Sequence, residues 1–186
     1  MSSTSTQSSA VKDAKGNASE LERMISESPG PDRVCLKVAQ ILRVRLHEVA
    51  LLRLDKRSLR FIFPPELRSA GVLPLTGSAV AARTASGRTP FLSNAFMRVK
   101  HVSLFEAVKL GVEEEDRSLD QMPIQKLMSV AVASTGGKVK GVVQVSRKGL
   151  DASLAGADFT AQDLKLLEQT AAILARMPFM QEGAEI

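Results

Sequence analysis

Two histidines, His47 and His101, and one cysteine, Cys35, are the only imidazoles and the only thiol in the chain. A serine or cysteine nucleophile needs such a base within hydrogen-bond reach, so these three residues bound the chemistry available. His47 falls at the C-terminal end of a helical pattern, where the helix dipole favours an imidazolium, and its expected role is a cap or a surface position. His101 lies in a segment of weak periodicity. Haem ligation there would need a shaped apolar site that no pattern indicates, so it is expected as a surface or core histidine. Cys35 sits among apolar residues at helical spacing and reads as a small buried hydrophobe. As the sole cysteine it allows neither an internal disulfide nor a cysteine-based zinc site.

Two further segments have the composition of a site without its spacing. Ser134-Thr-Gly-Gly-Lys138 has the glycines and lysine of a phosphate loop. However, Val139 stands where a hydroxyl residue should follow the lysine, and Val132 where the first glycine should be. Glu113-Glu-Glu-Asp116 lacks the alternating ligands and turn glycine of a calcium loop, and reads as a solvated loop. The expectation is a non-enzymatic protein with no metal and no cofactor.

Composition narrows the class. Hydrophobic residues make up 44% and charged residues 24%, as in soluble globular domains. No apolar run approaches the roughly 20 residues of a bilayer span, and residues 1–18 have no apolar signal core, so a cytoplasmic location is expected. The net charge of +5 is uneven, being densest around Arg43, Arg45, Arg53, Lys56, Arg57 and Arg60. Without Trp or Tyr, and with the Phe residues in apolar contexts, there is no evident surface on which bases stack. The cluster therefore reads as a solvated basic face, and nucleic acid is not an expected partner.

Periodicity supplies the elements that would position a site. Residues 1–18 are polar and expected to be disordered, 19–179 to form one domain, and 180–186 a tail. A short helix is expected over Glu20–Glu27, interrupted by Ser28-Pro-Gly-Pro31. Pro31 suits the first turn of a second helix carrying Val34, Val38, Ile41 and Leu42 and ending near Leu46. Strands follow over Glu48–Leu54 and Ser58–Phe63, stopped by Pro64-Pro65. Residues 64–77 read as a connector, Ser78–Ala85 as a helix, Pro90–Asn94 as a strand, and Val102–Leu110 as helical in an otherwise ill-defined insert. Gln125–Ala133 and Lys138–Ser146 bracket Thr135-Gly-Gly137 as a hairpin. Thr160-Ala-Gln-Asp163 is a capping box opening a helix with Leu164, Leu167, Ala171 and Leu174 on one face, ending at Met177-Pro178. This order argues for an α/β (α+β) protein with a largely antiparallel sheet and helices at both ends.

In this order and spacing the chain resembles the GAF family. The resemblance rests on the small-residue helix and short strand of Thr76–Asn94, the glycine-turn hairpin of Pro123–Lys148, and the capped helix opened by Phe159–Leu167. It spans about residues 31 to 178. It implies an antiparallel sheet of five or six strands, with terminal helices on one face and a ligand pocket on the other. Asn94-Ala95 stands where family members often have an aspartate, and the motif of cyclic-nucleotide-binding members is absent. There is no cysteine outside the first long helix to attach a bilin. Members that reduce free methionine sulfoxide need more than one cysteine.

By this resemblance Phe61, Phe63, Phe91, Ser93, Phe96, His101, Phe105, Met128, Val130 and Gln144 are expected to face the pocket, with Asn94 and Gln144 as its polar contacts. The implied function is a non-catalytic regulatory module that binds a small molecule and signals to a separate partner. The implied assembly is a homodimer through the terminal helices, since the apolar stripe of the last helix is wide enough to serve both a sheet and a partner. An interaction or dimerisation scaffold with a collapsed pocket is the other reading.

Overall fold

The computed structural model describes residues 4–98 and 122–182. The elements are α1 (Thr4–Glu27), α2 (Pro31–Leu42), β1 (Val49–Asp55), β2 (Ser58–Phe63), β3 (Val72–Pro74), α3 (Val80–Gly87), β4 (Phe91–Ser93), β5 (Ile124–Ala133), β6 (Val139–Lys148) and α4 (Ala161–Leu174). The strands form one antiparallel sheet in the order β3-β2-β1-β6-β5-β4. The expected insert helix over Val102–Leu110, the acidic block and residues His101 and Phe105 lie outside the described residues.

Local chemistry accounts for most boundaries. Ser28 takes φ 47°, and Pro31 opens α2, whose Val34, Cys35, Val38, Ile41 and Leu42 are all buried. The helix stops at Leu42 rather than near Leu46 because Arg43 turns into the left-handed region at φ 54°. Gly137 (φ 80°) closes the β5–β6 hairpin, with its N–H donating to Ser134 O at 2.8 Å. Thr160 and Asp163 form the reciprocal box that opens α4.

Three further boundaries differ from expectation. α1 begins at Thr4, within the stretch expected to be disordered. Leu21 and Met24 anchor its C-terminal half in the core, and no proline interrupts the residues before them, so the helix extends back from that anchor. Within the expected connector, Leu73 is buried and Val72–Pro74 pairs with Ser58–Arg60 as a sixth strand. Met180, placed in the tail by sequence, is 1% exposed.

The sheet separates two cores. One face packs Leu51, Ile62, Val130, Val143 and Val145 under α1, α2 and α4. The other packs Ala50, Leu52, Leu59, Phe61, Leu127 and Val142 against α3 and Phe96. Gly141 permits the closest approach, since a Cβ there would lie 2.7 Å from Met180 Cε and nearer still to the Leu52 carbonyl oxygen.

Candidate functional site

On the α3 face, Phe61 and Phe96 are buried to 4% and 1% exposure, and half-buried Phe91 meets Phe96 edge-on with centroids 6.4 Å apart. Gln144 lies on the same face, pairing across the ladder with Ala50 and Ser129. Its Nε2 donates to Ser129 Oγ at 3.2 Å, and Thr84 Oγ1 donates to the same oxygen at 2.9 Å. Thr84, Ser129 and Gln144 thus form a buried polar string from α3 through β5 to β6, as buried hydrogen-bonding groups require. Thr84 and Ser129 were not among the expected residues. The signal for Ser129 was a lone hydroxyl inside the apolar run Leu127-Met-Ser-Val130.

Phe63, Met128 and Val130 do not belong to this face. All three pack under the terminal helices. In β2 the register shifts between Leu51 and Leu52, whose partners are Phe63 and Phe61, so Ile62 is the extra residue and the alternation reverses after it. In β5 the residues facing α3 are Leu127 and Ser129, which places Met128 and Val130 on the other side.

Ser93 and Asn94 flank the site without opening into a described cavity. Ser93 Oγ accepts from Ala95 N–H at 3.3 Å. Asn94 gives its whole amide to one residue: Nδ2 donates to Phe159 O and Oδ1 accepts from Phe159 N–H, each at 2.9 Å. It fastens the chain just before α4 to the end of β4.

Between the C-terminal half of α3 and β4 runs a groove of about 500 Å³, walled by Val80, Arg83, Thr84, Thr89, Pro90 and Phe91. Its volume falls within the range of small-molecule sites, although it is an open groove rather than an enclosed cavity. Among the described residues, its lining includes the hydroxyls of Thr84, Ser86 and Thr89 but no histidine or cysteine. Cys35 lies in the core on the other face, where burial, and secondarily Asp32, pushes its thiol pKa well up and keeps it protonated. His47 stands in the turn before β1, and its carbonyl accepts from Lys148 Nζ at 2.8 Å. Among the described residues no group of three or more His, Cys, Asp or Glu is placed to hold a metal.

An ionic knot closes the β1 entry. Glu48, 3% exposed, accepts from Arg45 Nη2 (2.6 Å), Arg45 N–H (2.9 Å) and Lys148 N–H (2.8 Å). Burial raises its pKa, but the Arg45 guanidinium and the two main-chain donors outweigh burial and hold the carboxyl below its ordinary value.

No protein-family model matches the sequence, and no curated protein matches it. Solved structures do. The GAF domain of the Acinetobacter phosphoenolpyruvate-protein phosphotransferase superimposes with a TM-score of 0.61 at 15% identity, over 86% of this chain and 89% of that one. The chain has a GAF-domain fold. The GAF domain of a two-component sensor histidine kinase from Bacillus halodurans matches at TM-score 0.52 and 16% identity, over 78% and 89% of the two chains. The fRMsr of Staphylococcus aureus in its reduced form matches at 0.56 and 15%, over 89% and 94%. The GAF fold is commonly a small-molecule-binding sensory module. Among the described residues, no helix of this chain is long and apolar enough to cross a membrane.

Proposed function

We propose that this chain is a non-catalytic regulatory GAF module that binds a small molecule in the α3–β4 groove and signals to a separate partner protein. The observation that carries the reading is the groove itself, its mixed wall of Val80, Pro90 and Phe91 beside Arg83 and Thr89 lying next to the Thr84–Ser129–Gln144 string. Such a wall suits a compact, partly apolar ligand with a hydrogen-bond-accepting group. Thiol–disulfide exchange finds no second cysteine in this chain, which supports a binding rather than a reductive role.

The test is native mass spectrometry of freshly purified protein, with Phe91→Ala and Arg83→Ala compared to the parent. A reproducible small added mass that both substitutions remove is the expected result. A bare protein whose melting temperature does not move with a panel of small metabolites overturns it.

A second reading, an interaction or dimerisation scaffold, is favoured by one observation. Phe61 and Phe96 fill the α3 face with the chain's own side chains. Both readings include a homodimer through α1 and α4, for which the shallow groove lined by Ala18, Ser19, Gln169, Ala172 and Ile173 is the proposed contact. Light scattering that gives a monomer at micromolar concentration overturns the dimer.

A further inference from the structure

One end of the sheet gathers exposed cations from several loops. The β1–β2 and β5–β6 turns, the residues entering β4 and the Pro178–Met180 turn all lie at one end, because β1 and β5 finish there while β2, β4 and β6 begin. Lys56, Arg57, Arg60, Arg88 and Lys138 are exposed at this end. Arg88 reaches across to the β5–β6 turn, its Nη1 lying 3.2 Å from where a Gly137 Cβ would stand. Among the described residues, only Arg60 of these five has a carboxylate within ion-pair distance, Asp55 at 4.0 Å. Asp55 is already held in a two-point contact by buried Arg53. At the opposite end buried Lys126 is paired with Asp158, and half-buried Arg45 with buried Glu48.

We propose that this basic end is a docking surface for an extended, acidic peptide segment of a partner protein. The inference goes beyond the small-molecule reading and holds whether or not the α3–β4 groove is filled. Its dimensions fit a peptide. From β2 to β4 the rim crosses four strand spacings, about 19 Å, which an extended chain covers with about six residues. Opposite charges facing one another supply register and fast association. This chain already lays an extended segment on the rim, through hydrogen bonds rather than side-chain ion pairs. Its acidic C-terminal segment leaves the Pro178–Met180 turn extended, with Gln181 Oε1 accepting from Lys140 Nζ at 2.9 Å and Glu182 Oε1 from Lys56 N–H at 3.0 Å. A peptide is favoured over single-stranded nucleic acid because the chain has no Trp or Tyr and, among the described residues, every Phe is buried or half-buried, leaving no stacking platform there; the duplex is an outcome of the test.

The experiment titrates the full chain against a fluorescein-labelled oligoglutamate and, separately, a duplex DNA of equal charge, at low and at physiological salt. Arg57→Gln/Arg88→Asn/Lys138→Gln is compared with Arg23→Gln/Arg33→Gln/Lys165→Gln, which removes the same charge elsewhere; circular dichroism checks that both remain folded. The expected result is oligoglutamate binding that weakens with salt and falls about tenfold in the rim variant alone. No binding, or an equal loss in both variants, overturns the proposal. Tighter, rim-dependent binding of the duplex overturns the peptide as its occupant.

Discussion

Asn94 illustrates how a residue of the expected site acts structurally. Its amide matches the donor and acceptor of the Phe159 main chain, 65 residues away, so either group would be left unpaired by truncation. Asn94→Ala is expected to lower unfolding free energy by about 1–3 kcal/mol in urea titration. Asn94→Asp should fare little better, since a carboxylate cannot donate to Phe159 O. Glu48 acts in the pH dimension. Its folded pKa lies below the ordinary value, so the unfolded chain binds the proton more tightly. The stability it contributes is present above the ordinary carboxylate value and is lost as pH falls through the lower, folded one. Glu48→Gln is therefore expected to destabilise at neutral pH by an amount that shrinks on acidification, read from denaturation midpoints across that range. Neither role was legible from composition. What makes Asn94 and Glu48 structural is a partner main chain that sequence distance hides, whereas buried Cys35 was legible because its neighbours recur at helical spacing.

At the scale of elements, the strands were legible as strands but not by face. Leu59, Phe61 and Phe63 alternate in sequence, yet the extra residue at Ile62 sends Phe61 to α3 and Phe63 to the terminal helices. A bulge exchanges every later side chain between faces, and nothing in Ser58–Phe63 marks where it falls. β3 was missed for a different reason. Three residues are too few to show a period, and Val72–Pro74 becomes a strand only because Ser58–Arg60 offers its edge. In β6 the informative residue is Gly141. Gly141→Ala would drive a methyl into the Leu52 carbonyl and Met180, and is expected to cost about 3 kcal/mol or more, or to prevent folding, measured by chemical denaturation against the parent.

Across the whole molecule, contacts distant in sequence hold the C-terminal turn to the sheet. Arg53, 6% exposed, donates to Phe179 O at 3.1 Å while it grips Asp55, and Lys140 Nζ donates to Ala175 O at 2.9 Å. Arg53→Met is expected to lower stability by about 1–3 kcal/mol and to speed carboxypeptidase removal of the residues after Pro178, followed by mass spectrometry. The sequence alone determined the order of helices and strands apart from β3, the Gly137 turn and the Thr160 cap, because each rests on residues a few positions apart, and that order carried the resemblance to a GAF domain. Tertiary structure decided which strand residues face α3, that a sixth strand exists, that Asn94 clamps α4, and that the cations of two separate hairpins meet at one end of the sheet. Those outcomes depend on register and on pairings across the fold, where one inserted residue or one distant carbonyl changes the result.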